Sequence, residues 1–166
     1  MNAENLRNQN DLSLFNALLE ERKVIQVNEQ LEKQAEEGPS GTRRQLLATS
    51  VRLSKNMAPN VHKMLDECAE RLGVGIPIEL YVYASSEFNA ACVKPEDGRL
   101  FIMLSSTLLE AFKSSELRFV IGHELGHHLY QHHDIPIGYI LRGKTRPDPK
   151  LALRLFAWSR YAEISA

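Results

Sequence analysis

Apolar residues recur at three- and four-residue spacing along most of the chain, and at two-residue spacing only near its middle. This pattern predicts helices on either side of a small sheet. Over residues 11–37, Leu12, Phe15, Leu18, Leu19, Ile25 and Leu31 form the apolar side of one amphipathic helix, opposite a side rich in Glu, Gln and Asn. Gly38-Pro39-Ser40-Gly41 breaks it. A second helical stretch is expected over 42–56. After Pro59, the stripe Val61, Met64, Leu65, Cys68, Ala69 and Leu72 runs to Gly73, a helix stop.

The period then changes. Ile78-Glu79-Leu80-Tyr81-Val82-Tyr83 alternates as a half-buried strand. Strands over 89–93 and 100–104 flank Lys94-Pro95-Glu96-Asp97-Gly98-Arg99, whose Asp-Gly step suits a hairpin turn. A short helix over 107–112 leads to Leu117, Val120, Ile121, Leu125 and Leu129, a buried helical stripe opened by Ser114-Ser115-Glu116 with N-cap hydroxyls and a first-turn acid. Residues 134–147 read as a loop. Asp148-Pro149 supplies an N-cap and an N1 proline for a last helix towards Ala166. The expected class is α+β, mainly helical with a small antiparallel sheet. Residues 1–41 are expected to form a helical arm and linker, and 42–166 the main domain. The arm packs on the domain in the simplest reading; homo-oligomer formation through it, or cover of a cleft, are the others.

Composition adds mostly exclusions. At 166 residues, 43% hydrophobic and 25% charged, the chain is ordinary for a soluble domain. A net charge of −1 makes no case for nucleic acid. No apolar run approaches the roughly 18 residues of a membrane span, and the N-terminus lacks a signal-peptide pattern. Cys68 and Cys92 are too few for a disulfide framework and lack zinc-site spacing, which points to reduced thiols and a cytoplasmic setting.

The chemistry sits in His123-Glu124-Leu125-Gly126-His127. Residues four apart share a helix face, so His123 and His127 can offer two imidazole nitrogens to one ion. Glu124, beside the first ligand, can reach a water there without ligating. This is the H-E-x-x-H zincin pattern, two zinc ligands and a general base. Gly122 and Gly126 interrupt an otherwise strong helix and suggest close approach by another element.

Catalytic zinc usually takes a third protein ligand. His133 stands where metzincins place a third histidine, but that pattern requires glycine at position 130, where this chain has Tyr130, for which positive φ is costly. Without a bend there, His133 points away along the rod. Glu163, on the last helix, is the gluzincin alternative; on chemistry alone a helical glutamate is usually solvated, and Arg160 at i−3 could simply pair with it.

From residue 61 onward the chain resembles the gluzincin metallopeptidases of family forty-eight, the group containing the CaaX prenyl proteases and HtpX-like heat-shock proteases. The resemblance is carried by Leu72-Gly73-Val74, the 78–83 strand, Phe88-Asn89-Ala90, Leu100-Phe101-Ile102-Met103-Leu104, Thr107-Leu108-Leu109, the 116–128 helix, and Glu163-Ile164-Ser165-Ala166. The last looks like the start of the family's E-x-x-A-D motif. It implies a zincin-like fold with the sheet beside the H-E-x-x-H helix, and Glu163 as third ligand to one Zn2+ per chain. The chain stops one residue before the family's aspartate, so it is expected to be truncated. It is similar to the branch without spanning segments.

The resemblance also places the strand with Asn89, Ala90 and Ala91 beside the cleft, where it could bind substrate backbone or be an ordinary sheet strand. The expected activity is zinc-dependent endopeptidase, acting on a peptide or protein with Glu124 as general base. The alternatives are a zinc-binding but inactive domain acting in partner binding, and a non-metal domain with a chance motif. Tyr130, His128, His132 and Tyr139 are candidate oxyanion donors, although His128, His132 and His133 read more simply as a solvated helix end.

Overall fold

The computed structural model describes residues 6–37, 41–143 and 146–166; Gly38, Pro39 and Ser40 of the breaker cluster lie outside them. The elements are α1 (Gln9–Leu19), α2 (Arg22–Glu37), α3 (Thr42–Thr49), β1 (Val51–Leu53), α4 (Pro59–Leu72), β2 (Ile78–Tyr83), β3 (Ala90–Glu96), β4 (Arg99–Ser105), α5 (Ser106–Ala111), α6 (Ser114–Leu129), α7 (Ile137–Arg142) and α8 (Pro149–Ser165). The class is α+β. The chain divides into two compact units: Ser40–Leu129, and Met1–Pro39 together with Tyr130–Ala166.

In the unit Ser40–Leu129, four strands lie in the order β1-β2-β4-β3. The sheet is mixed, not antiparallel as expected: β2 and β4 run parallel, while β1 and β3 pair antiparallel with β2 and β4. The β3–β4 hairpin forms at Asp97-Gly98, both with positive φ, as the Asp-Gly step required. Parallel β2 and β4 cannot be joined by such a turn, so β3 takes the end position as β4's second partner.

One sheet face is covered by helices. Met64, Leu65 and Cys68 of α4, Leu108 of α5, and Leu117, Ile121 and Leu125 of α6 bury against Leu80, Leu100, Ile102 and Leu104. The other face holds Tyr81 and Phe101 under Leu46 of α3. Glu79 is buried there too. Its carboxylate accepts from the Tyr81 hydroxyl at 2.7 Å and Arg43 Nε at 3.1 Å, with Arg52 and Arg99 each 3.6 Å away.

Residues 42–56, expected as one helix, split after Thr49. Val51, Arg52 and Leu53 pair with Val82, Tyr81 and Leu80, because an open edge of β2 offers backbone partners to a short extended stretch. Gly73 ends α4 in the left-handed region at φ 72°, and the Val74 N–H bonds the Ala69 carbonyl at 2.9 Å. The start of α6 departs from the expected serine cap. There the Glu116 carboxylate reaches back to accept from the Lys113 N–H at 2.8 Å.

In the other unit, α1 packs along α8 and α2 against α7. Phe15, Leu18, Val24, Ile135, Ile140, Leu151, Leu155, Trp158 and Ala162 form its core. The single helix expected over 11–37 is interrupted at Glu20-Glu21. On an unbroken helix Val24 would lie about 240° from Leu18, off the apolar face; the break brings both into one core. The expected loop over 134–147 contains α7, which begins right after Pro136 and buries Ile140. Asp148 caps α8 as the sequence implied, accepting from the N–H groups of Lys150 (2.9 Å) and Leu151 (3.0 Å).

Candidate metal centre

Core packing aims the histidines. With Ile121 turned into the core, His123 and His127 fall about 200° and 240° around α6, on its outward side. Both are half-buried. Their Nε2 atoms lie 3.2 Å apart, and the rings meet edge to face with centroids 4.7 Å apart. Two nitrogens bound to one tetrahedral zinc at about 2.0–2.1 Å each stand about 3.3 Å apart. The pair therefore has the spacing that a single zinc ion requires.

Glu124 falls on the flank of α6 nearer the core and is 7% exposed. Burial, and then the Glu124 charge, push the Cys92 thiol of β3 up to about 12. Cys92 therefore stays protonated near neutral pH and supplies no thiolate, and burial raises Cys68 as well. The sequence reading missed Phe119. Its ring, 74% exposed, stacks on the His123 imidazole at 6.2 Å. The four-residue spacing was the available signal.

β3 lies at the end of the sheet and packs against α6. Ala90 and Ala91 pair with Leu104 and Met103. Asn89 sits just ahead of the strand, exposed, its N–H donating to Ser105 Oγ at 3.1 Å and its carbonyl accepting from the Ser105 N–H at 2.9 Å. At Gly122, an added Cβ would meet nothing within 4 Å, so no close approach explains that glycine.

Glu163 is exposed in the last turn of α8. The expected straight continuation towards His133 does not occur. α6 ends at Leu129, and Gln131 adopts a left-handed φ of 57°, so the chain turns without glycine. The case against His133 from an unbroken rod therefore falls. His132 is not solvated either: it is buried, and its Nε2 lies 3.1 Å from Asp11. Tyr130 is buried under the Arg7 guanidinium, 5.3 Å from the ring centroid. Tyr139 is exposed, and burial lowers the pKa of His128.

Peptidase family M48 matches residues 55–142, just over half of the chain and the whole of α6. The chain belongs to peptidase family M48. It is 40% identical over 81 residues to the plastoglobule-localized metallopeptidase 48, chloroplastic, of Arabidopsis thaliana, a stretch covering 49% of this chain and 23% of that protein. It is 36% identical over 59 residues to the protease HtpX of Shewanella piezotolerans, covering 36% and 20%. A protease HtpX homolog of Sulfurihydrogenibium is 31% identical over 70 residues, covering 42% and 23%. The matches thus span less than a quarter of each M48 relative's length. No solved structure matches the chain significantly. Among the described residues, no helix is long and apolar enough to cross a membrane. The M48 match takes in His123, Glu124 and His127 and ends before Glu163.

Proposed function

We propose that this M48 chain carries the catalytic centre of a zinc-dependent endopeptidase, with His123, His127 and Glu163 holding one zinc ion. The observation behind the reading is the 3.2 Å separation of the His123 and His127 nitrogens on a helix within the family match. Glu163 rests on the Glu163-Ile164-Ser165-Ala166 pattern and on the need for a third ligand. Zinc, when bound, lowers the pKa of its water towards about 7 and polarises a substrate carbonyl. Glu124 takes the proton from the attacking water and returns it to the leaving amine. Asn89, Ala90 and Ala91 align substrate backbone along the end of the sheet, a role that the terminal position of β3 supports. A reducing, cytoplasmic setting fits two free cysteines; the chloroplast named for one relative belongs to that relative.

The test is hydrolysis of an unstructured protein by the wild-type chain and by Glu124→Gln, with zinc measured in both. A loss of about 10²–10⁴-fold at unchanged zinc content is expected. Equal activity in both would sink the peptidase reading. Zinc binding without activity in either would favour an inactive domain acting in partner binding. A zinc content near zero that His123→Ala does not change would mean that the motif holds no metal.

A further inference from the structure

One buried carboxylate joins α1 to α8. Asp11 has no exposed surface. Its Oδ1 accepts from the Trp158 indole N–H at 3.0 Å, and its Oδ2 faces Arg7 Nε at 2.8 Å and His132 Nε2 at 3.1 Å. Nearby, the Asn8 N–H donates to Ser165 Oγ at 3.2 Å. Trp158 and Ser165 stand five residues before and two residues after Glu163 on α8. The start of α1 therefore grips α8 on both sides of that glutamate.

Apolar burial alone would hold these helices together. Phe15, Leu18, Leu155 and Trp158 already share a core, but such packing is non-directional and forgives small slides and rotations. A hydrogen bond from an indole N–H to a fixed carboxylate does not. A buried charge is also costly unless its acceptor sites are filled, as they are here. The feature that the ionic network adds over an apolar contact is register. Register matters for a metal ligand, whose productive placement tolerates only about 0.5 Å.

We propose that Asp11 is a positioning residue for Glu163: by binding Trp158, with Asn8 binding Ser165, it fixes the axial register and rotation of the α8 end that presents the third zinc ligand. This rests on the reading of Glu163 as a ligand. The N-terminal helix is then part of the metal centre's framework, acting through α8 without touching the ion.

The experiment is a zinc affinity titration against a chromophoric chelator, with thermal stability followed in parallel. It uses the full chain and its variants Asp11→Ala, Glu163→Gln and the double variant. Asp11→Ala is expected to weaken zinc about 10–100-fold, the range seen when partners that orient a ligand are lost. The double variant is expected to bind no more weakly than Glu163→Gln alone, since no ligand is left to misplace. Should Asp11→Ala fail to fold, Trp158→Phe removes the indole donor together with part of the buried ring, and Ser165→Ala removes the hydroxyl that joins Asn8 to the last turn of α8; both are expected to weaken zinc in the same direction. Lower thermal stability at unchanged zinc affinity, or a loss that adds in full to that of Glu163→Gln, would overturn the proposal and leave Asp11 purely structural. Unchanged affinity in Glu163→Gln would overturn the ligand assignment itself. A loss there, beside wild-type affinity in all the Asp11, Trp158 and Ser165 variants, would overturn only the positioning role.

Discussion

Two carboxylates in this chain, Glu79 and Asp11, are buried and ionised by virtue of their partners. Burial pushes the Glu79 carboxyl up, but the Tyr81 hydroxyl and the Arg43 guanidinium outweigh it and hold it below its ordinary value of 4.5. Burial likewise opposes Asp11, and hydrogen bonds from Arg7, Ser165 and His132 prevail. A carboxyl depressed in the folded state stabilises the protein above its ordinary value, and that contribution is lost as pH falls through the lower folded value. Thermal stability is therefore expected to drop on acidification below about pH 4.5, and Glu79→Gln to flatten that drop while costing about 1–3 kcal/mol at neutral pH. Identical acid slopes in wild type and variant would refute this assignment. Neither role was legible from residue type: Glu79 sits in an alternating strand whose polar positions were expected to face water, and Asp11 near the start of an amphipathic helix.

Among the elements, those with local end signals were legible and those completed by partners were not. Gly73 stops α4, Asp97-Gly98 turns the hairpin, and Asp148-Pro149 opens α8, each through the immediate backbone. Asp148→Ala should cost about 1 kcal/mol through the lost Lys150 and Leu151 bonds, read as a fall in melting temperature of about 2–4 °C; an unchanged melting temperature would mean that the α8 start is held otherwise. β1, α7 and the break between α1 and α2 carry no comparable signal. β1 is short enough to read as a continued helix until the edge of β2 recruits it, and the α1–α2 break places Val24 in the same core as Leu18. The mixed sheet was missed for a similar reason, because strand periodicity says nothing of which strands become neighbours.

For the whole molecule, the proposed ligands come from α6 and from α8, two elements far apart in sequence. An ion held by both stabilises the folded chain by mass action, about 2.7 kcal/mol at a free concentration 100 times Kd. Zinc at that level is expected to raise the melting temperature by about 5–10 °C, with the shift reduced in Glu163→Gln and abolished in His123→Ala; equal shifts in all three would point to unrelated surface binding. The sequence by itself determined the chemistry of α6, since the four-residue spacing of His123 and His127 is a property of any helix and needs no partner. It also carried the family resemblance and the capped helices, which are local. Tertiary structure decided which face of α6 is buried, so that the imidazoles point outward while Glu124 lies against β3, and which strand ends the sheet. It also decided that Trp158 and His132, each over a hundred residues from Asp11 in sequence, share its carboxylate. Such arrangements depend on which surfaces exclude water together, and that is a property of the packed chain, not of any window within it.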